Sequence, residues 1–360
     1  MGSSGRRDGS PRWLQLPARA HRWRQLIAPS SARFNVVVWG DSNTDEDSVY
    51  TTWVERLRSE LQREHGVGGI GYQGLWRNEY AFAGSWARQN DKSTFDRGPY
   101  GWSYSADAQA DILTWTKPGG AGTIDRFEVF YVDADFIEVD YQYSVDGGAW
   151  TALALDYSGA GPALRSKTIA ATITTSLRLR GPAVFVGHCA GVAFYSGTTG
   201  CVVHNLGSGG ESIATACDDG DGDRLAIIDV IQPKLTLVNL LTNDTLTSVQ
   251  TPLASYEAWL GTLVDRSLAH GDVLLIAPQM QDPSGAFAYP AGQGHVTQRA
   301  YEAKLAAVAD TKRVPVVSLA EAWGSYTALQ TLGYSADSYH LNQAGQDAAA
   351  ALISQALRHA

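Results

Sequence analysis

Cysteine is scarce: Cys189, Cys201 and Cys217 are the only three in 360 residues. An odd, small number describes no disulfide framework, and the spacing lacks the paired pattern of a structural zinc site. Cys189 and Cys201 sit in apolar, strand-like runs and read as buried thiols, with one bridge among the three left open. No apolar stretch approaches the roughly 20 residues that a membrane-spanning helix needs. The N-terminal segment lacks the apolar centre of a secretory signal, so export by that route is not visible. A phosphate-cradling glycine loop of the nucleotide type is missing as well. Basic residues are outnumbered, 28 Lys plus Arg against 37 Asp plus Glu, and the net charge of −9 argues against a nucleic-acid partner.

The positive charge that exists is unevenly placed. Residues 1–33 carry Arg6, Arg7, Arg12, Arg19, Arg22, Arg24 and Arg33 against one acid, Asp8. This basic N-terminal arm reads either as a contact for an acidic polymer or neighbouring subunit, or as a poorly ordered terminus in which Met1-Gly2-Ser3-Ser4-Gly5 looks like cloning sequence. The chain as a whole has a globular composition, 44% hydrophobic and 18% charged, and its length allows one to three domains.

Residues 34–39 form a short β-branched run ending at Gly40, as a buried parallel strand does. Asp45 or Asp47 can then cap a helix in which Tyr50, Trp53, Val54, Leu57 and Leu61 share one face, stopped by Gly66, Gly68, Gly69 and Gly71. Between residues 67 and 199 helical spacing gives way to alternation. Strand-like stretches cover 123–132, 136–145, 149–155, 165–170, 176–180 and 183–195, with Asp146-Gly147-Gly148 as a turn. This predicts an all-β sandwich or jelly-roll domain inserted into an α/β domain made of 34–66 and 200–360. From Cys201 strands and helices alternate again: strands at 202–205, 235–241, 272–277 and 314–319, helices at 253–268, 295–310 and 343–357. That rhythm predicts a parallel sheet with helices on both faces, which binds ligands at the carboxyl ends of its strands. Ser42, Gly207 and Asn243 all follow predicted strands.

Four short peptides carry the chemistry: Gly40-Asp41-Ser42-Asn43-Thr44, Asn205-Leu206-Gly207, Thr242-Asn243-Asp244 and Asp337-Ser338-Tyr339-His340-Leu341-Asn342. A serine hydroxyl is a poor nucleophile until a base takes its proton, and the base needs an orienting partner. Ser42 on a strand-to-helix turn supplies the hydroxyl, and His340 supplies the base. Asp337, three residues earlier, can fold back onto the imidazole; it could equally serve a turn, with Asn342 capping the last helix. Oxyanion donors would be the amides of Ser42 and Gly207 and the side chain of Asn243. His188, His204 and His295 lack such partners and read as packing or surface residues.

These blocks, in this order, resemble the SGNH hydrolases, the GDSL-type esterase/lipase superfamily. The resemblance covers roughly residues 34–66 and 200–360. It implies a flavodoxin-like three-layer α/β/α fold and ester hydrolysis through an acyl-enzyme on Ser42, with no cofactor. Leu241 departs from the glycine that usually opens the third block. The predicted insertion is similar to the β-sandwich of members that act on polysaccharides or sit in bacteriophage tails. Its aromatics, Trp76, Tyr80, Phe82, Trp86, Tyr100, Trp102, Tyr104 and Trp115, either fill a core or offer faces for sugar rings, with Trp86 and Trp102 as candidate substrate contacts. The acidic run from Asp218 to Asp223 begins like a calcium loop but lacks a closing glutamate, and reads as a solvated turn with no metal. The expectation is a serine esterase acting on acyl, above all acetyl, esters of a carbohydrate or cell-surface polymer. A carbohydrate-binding tail protein with little turnover and a lipase or thioesterase are the alternatives.

Overall fold

A computed structural model describes residues 14–15, 32–45, 50–75, 80–84, 87–89, 103–106, 111–133, 141–156, 163–181, 187–217, 223–246, 250–283 and 297–359. Most of the basic arm, Asp47, Trp76, Trp86, Tyr100, Trp102, residues 218–222, His295 and the side chains of Tyr104 and His188 lie outside the described residues.

In chain order the elements are β1 (Leu14–Gln15), β2 (Phe34–Gly40), α1 (Trp53–His65), β3 (Gly69–Gly74), β4 (Tyr80–Ala83), β5 (Ala87–Gln89), β6 (Ser103–Ala106), β7 (Ile112–Thr116), β8 (Ile124–Asp133), β9 (Gln142–Val145), β10 (Thr151–Ala152), β11 (Ala163–Ile173), β12 (Ser176–Arg180), β13 (Gly187–Tyr195), β14 (Cys201–Asn205), α2 (Ile213–Cys217), α3 (Ala226–Ile231), β15 (Leu235–Asn239), α4 (Leu253–Leu268), β16 (Asp272–Ala277), α5 (Gln298–Lys312), β17 (Val316–Ser318), α6 (Leu319–Trp323), α7 (Tyr326–Thr331) and α8 (Gln343–His359).

One sheet has the order β1-β17-β16-β15-β2-β14. Its strands pair in parallel except for β1, an antiparallel edge. Alternate residues of β2 feed two apolar clusters. Val37 and Trp39 join Tyr256, Leu260 and Tyr301 of α4 and α5. Val36 and Val38 join Leu57 of α1 and Ile353 of α8. The result is the α/β/α layering expected from the alternation of strands and helices. The chain leaves β2 for β14 on one side and then crosses to β15 on the other. This reversal opens a crevice at the carboxyl ends of β2, β14 and β15, where such sheets bind ligands.

The stretch between α1 and β14 builds two antiparallel sheets, β10-β9-β12-β7-β4 and β11-β8-β13-β6-β5, with β3 added beside β13. They share a core in which Trp115 stacks on Phe194 with ring centroids 3.7 Å apart. Phe130, Leu164, Ala193 and Tyr195 face the other way and join the cluster holding Val37 and Trp39, so apolar packing continues into the α/β layers. Gly71 makes the close approach feasible: its φ is +88°, and a Cβ there would lie 2.2 Å from the Val203 carbonyl oxygen.

Some local expectations change. Helix α1 starts at Trp53, capped by Thr52, whose N–H donates to Glu55 at 2.8 Å in a capping box. Tyr50 lies before the helix, and Asp45 instead accepts the Gly209 N–H at 2.8 Å. Trp115 and Tyr80 are buried, whereas Phe82 is exposed. The three cysteines are present as thiols, Cys217 donating to the Trp259 carbonyl at 3.5 Å, and burial pushes the thiols of Cys189 and Cys201 up to about 12. Asp223, at the end of the acidic run, pairs with Arg266. No described helix is long and apolar enough to cross a membrane, and the described residues contain no grouping of three metal-ligating side chains.

Candidate active site

The turn after β2 is tied internally. The N–H groups of Thr44 and Asp45 donate to the Asp41 carbonyl at 2.9 and 3.1 Å, and the Asn43 N–H donates to Asp41 Oδ1 at 2.9 Å. The Ser42 N–H meets no acceptor among the described residues, and its side chain is partly exposed at the crevice.

His340 comes from a loop between α7 and α8 that is closed by its own bonds. The N–H groups of Ala336 and Asn342 donate to the carbonyls of His340 and Tyr334, both at 2.9 Å. Asn342 caps α8 as expected, its Oδ1 accepting the Gly345 N–H at 3.1 Å. His340 Nε2 lies 2.8 Å from Ser42 Oγ, and Nδ1 lies 2.7 Å from Asp337 Oδ2. An ionised carboxylate only accepts, so the proton belongs on Nδ1 and Nε2 is left to accept from the serine hydroxyl. Partial burial would raise the Asp337 carboxyl. The N–H of Tyr339, the His340 ring and the N–H of His340 outweigh it and hold the group below the ordinary carboxylate range. Asp337 is thus ionised at neutral pH and fit to orient an imidazole.

The loop after β14 corrects one expectation. Gly207 does not offer its amide to a ligand: the N–H is donated to Asn205 Oδ1 at 2.8 Å. The neighbouring amides are occupied too. Leu206 donates to Val38 O, Ser208 to Gly40 O, Gly209 to Asp45, Glu211 to Ser208 O, Ser212 to Thr215 Oγ1 and Ile213 to Asp244. Among the described residues of this loop Gly210 alone has an N–H without a recorded acceptor, and its φ of +82° suits glycine. Gly207 is needed for space, since a Cβ there would meet Thr44 Oγ1 at 2.2 Å. Sequence reading missed Gly210 because it stands in the same glycine run, where only the bonding pattern separates the members.

Asn243 opens a short 3-10 turn after β15, and its Nδ2 donates to the Glu211 carbonyl at 2.7 Å. An amide nitrogen carries two hydrogens, so one remains to point elsewhere. The preceding Leu241 is fully buried in the core, which accounts for an apolar residue at that place. Asp244 accepts the Ile213 N–H at 3.0 Å and the Thr251 hydroxyl at 2.6 Å, tying the turn to the Gly210 loop.

Three buried carboxyls lie beneath these donors. Burial raises Asp41, pushes Glu211 up to about 8 and pushes Asp244 up to about 7, with repulsion from neighbouring acids adding to the last two. A fold that keeps a proton the unfolded chain has released loses stability as pH rises. For Glu211 that loss runs from its ordinary value of 4.5 to about 8. His204 works oppositely. Burial lowers it from 6.5 to about 3, so its contribution rises with pH up to about 6.5 and is then constant. Above pH 6.5 the carboxyl slope stands alone. Glu211→Gln is therefore expected to flatten the decline from pH 6.5 to 8 and to raise Tm at pH 8 by about 2–6 °C. Thermal melts of the two proteins across this range check it; parallel curves would exclude it.

The GDSL-like lipase/acylhydrolase family model matches residues 188–348, a span containing Gly210, Asn243, Asp337 and His340. A solved peptidoglycan O-acetylesterase has a similar structure over nearly the whole chain, with TM-score 0.73, 17% identity, and coverage of 96% of this chain and 98% of that one. A lipase/acylhydrolase from Enterococcus faecalis aligns over 43% of this chain and 75% of its own, with 20% identity and TM-score 0.35. No curated protein sequence matches. The family match and the shared fold agree: residues 188–348 are similar to the GDSL-like lipases and acylhydrolases, on a fold shared with the O-acetylesterase, and the chain is a carboxylic ester hydrolase.

Proposed function

We propose that this protein is a serine esterase that removes acetyl groups from a carbohydrate polymer. The observation carrying this reading is the line Asp337 Oδ2, His340, Ser42 Oγ, with contacts of 2.7 and 2.8 Å. Ser42 Oγ attacks the ester carbonyl as His340 Nε2 takes its proton. His340 returns the proton to the leaving alcohol, and Asp337 stabilises the imidazolium between the two steps. The Ser42 N–H, the Gly210 N–H and the free hydrogen of Asn243 Nδ2 would hold the oxyanion. Water, activated by His340, then releases acetate and frees the serine.

The polymer part of the reading draws support from the peptidoglycan O-acetylesterase, whose fold spans 96% of this chain, antiparallel sheets included. We take residues 67–199 as an inserted β domain that holds the polymer. Trp86 and Trp102 remain its candidate contacts. The test compares acetate release from O-acetylated peptidoglycan with hydrolysis of an aryl acetate. Trp86→Ala or Trp102→Ala is expected to depress the first about tenfold and to leave the second within about twofold. Equal losses on both substrates would assign these residues to packing. Turnover of the aryl ester without acetate release from the polymer would assign a different ester.

A further inference from the structure

The two segments that meet in the site, the Ser42 turn and the His340 loop, share no backbone–backbone hydrogen bond among the described residues. The link is made by side chains, and Asn43 is at its centre. Asn43 Oδ1 accepts the Leu341 N–H at 3.2 Å, and Asn43 Nδ2 donates to the Tyr339 carbonyl at 3.3 Å. These are the two residues flanking His340. One carboxamide thus grips the chain on both sides of the imidazole while its own backbone adjoins Ser42. Gln279 braces the grip, its Nε2 donating to the Tyr339 carbonyl at 2.5 Å and to Asn43 Oδ1 at 3.3 Å. Gln298 Nε2 in turn donates to the Gln279 carbonyl at 3.0 Å, and Gln346 Nε2 to the Asn43 carbonyl at 3.3 Å. Asn43, Gln279 and Gln346 are each 1% exposed, so water cannot readily replace these bonds.

We propose that Asn43 is a positioning residue for the reaction: it registers His340 against Ser42, with Gln279 as its support. The inference rests on the reading of Ser42 and His340 as nucleophile and base. A general base works only within hydrogen-bond reach of the proton it takes, about 2.6–3.2 Å. His340 must also swing its bond from Ser42 to the leaving oxygen without losing register. The Asp282 N–H already holds the Ser338 carbonyl at 2.8 Å, but that bond ties the loop to the segment after β16 and not to the Ser42 turn. Without the Asn43 grip the ring could drift against Ser42, and a misplacement of about 1 Å can cost about 10²-fold in rate. Asparagine suits the task because it presents an acceptor and a donor in one plane, matching an N–H and a C=O two residues apart. Aspartate has the same shape but, when ionised, cannot donate to the Tyr339 carbonyl. It would also stand beside the buried Asp41 carboxyl, whose Oδ1 lies 3.4 Å from Asn43 Nδ2.

The experiment uses the full chain with p-nitrophenyl acetate and compares Asn43→Ala, Asn43→Asp, Gln279→Ala, Ser42→Ala, His340→Ala and Asn43→Ala/His340→Ala. Each variant is checked for folding by circular dichroism. Asn43→Ala and Asn43→Asp are expected to lower kcat about 10²-fold with KM within about threefold, and Gln279→Ala to lower kcat about 3–10-fold. The pH–rate profile of each Asn43 variant should have a displaced acidic limb. The proton NMR resonance of His340 Nδ1–H should move or broaden, as a role confined to folding would not require. The double variant should be no slower than His340→Ala. A kcat within about threefold of wild type in the isosteric Asn43→Asp, or a multiplicative loss in the double variant, would overturn the proposal. If Asn43→Ala does not fold, Asn43→Asp decides by the same readings. Turnover surviving in Ser42→Ala and His340→Ala would overturn the catalytic reading and this proposal with it. Loss there beside an active Asn43→Asp would overturn this proposal alone.

Discussion

Ser42→Ala is expected to reduce turnover of an activated aryl acetate by at least about 10³-fold while leaving the fold intact. The size follows from what the hydroxyl would do. The serine splits hydrolysis into acylation and deacylation, and its Oγ has the imidazole of His340 in line with it at 2.8 Å. Residual rate would come from the oxyanion donors and from binding, which persist without the nucleophile. Stability should change little, because the bonds of this turn run through Asp41, Asn43 and Thr44 and not through the Ser42 hydroxyl. A fluorophosphonate should label Ser42 alone. His340→Ala should cost about as much, and Ser42→Ala/His340→Ala little more than either, since residues acting as one unit lose activity once. An active Ser42→Ala, or labelling at another serine, would defeat the assignment.

How far the sequence reached depended on whether local pattern or distant contact decided the outcome. Helix α4 and strand β16 have the expected bounds, 253–268 and 272–277, because apolar spacing and flanking breakers both mark them. That Ser42, His340 and Asp337 come together was legible because their residue types and chain order are distinctive. The start of α1 was not. Asp45 has the right chemistry for a cap, but its carboxylate is engaged by Gly209, over 160 residues away. The choice between Gly207 and Gly210 was invisible for the same reason, resting on which amide Asn205 occupies. The support behind the site was hidden most deeply. Gln279, Gln281, Gln298 and Gln346 are all buried. Glutamine is ordinarily a surface residue, and its partners here lie on other elements.

Asn243→Ala is expected to lower kcat about 10²–10³-fold on both aryl and polymeric esters, with KM little changed. An oxyanion exists only once the carbonyl has been attacked, so a donor aimed at it favours the transition state over the bound ester. Asn243 can serve because its Nδ2 is anchored at 2.7 Å by the Glu211 carbonyl, which fixes the direction of the second hydrogen. The same bond joins it to the residue after Gly210, so the two donors are set relative to each other by one contact. Asp244 reinforces this through the Ile213 N–H and the Thr251 hydroxyl. Raised pKa values at Glu211 and Asp244 reduce the negative charge beneath the donors near neutral pH, lessening repulsion of the developing oxyanion. Gly210→Ala separates the two candidate glycines. Its Cβ would meet nothing within 4 Å, yet its φ of +82° disfavours a side chain. The amide should therefore turn away, at a cost of about 1–2 kcal/mol in stability and a clear loss in kcat. Gly207→Ala, by contrast, should act mainly on folding, because Thr44 occupies the space a Cβ would need. If Gly210→Ala keeps full kcat while Asn243→Ala does not, the oxyanion is held by Ser42 and Asn243 without the loop amide. If Asn243→Ala keeps full kcat as well, the site assigned to the oxyanion is wrong.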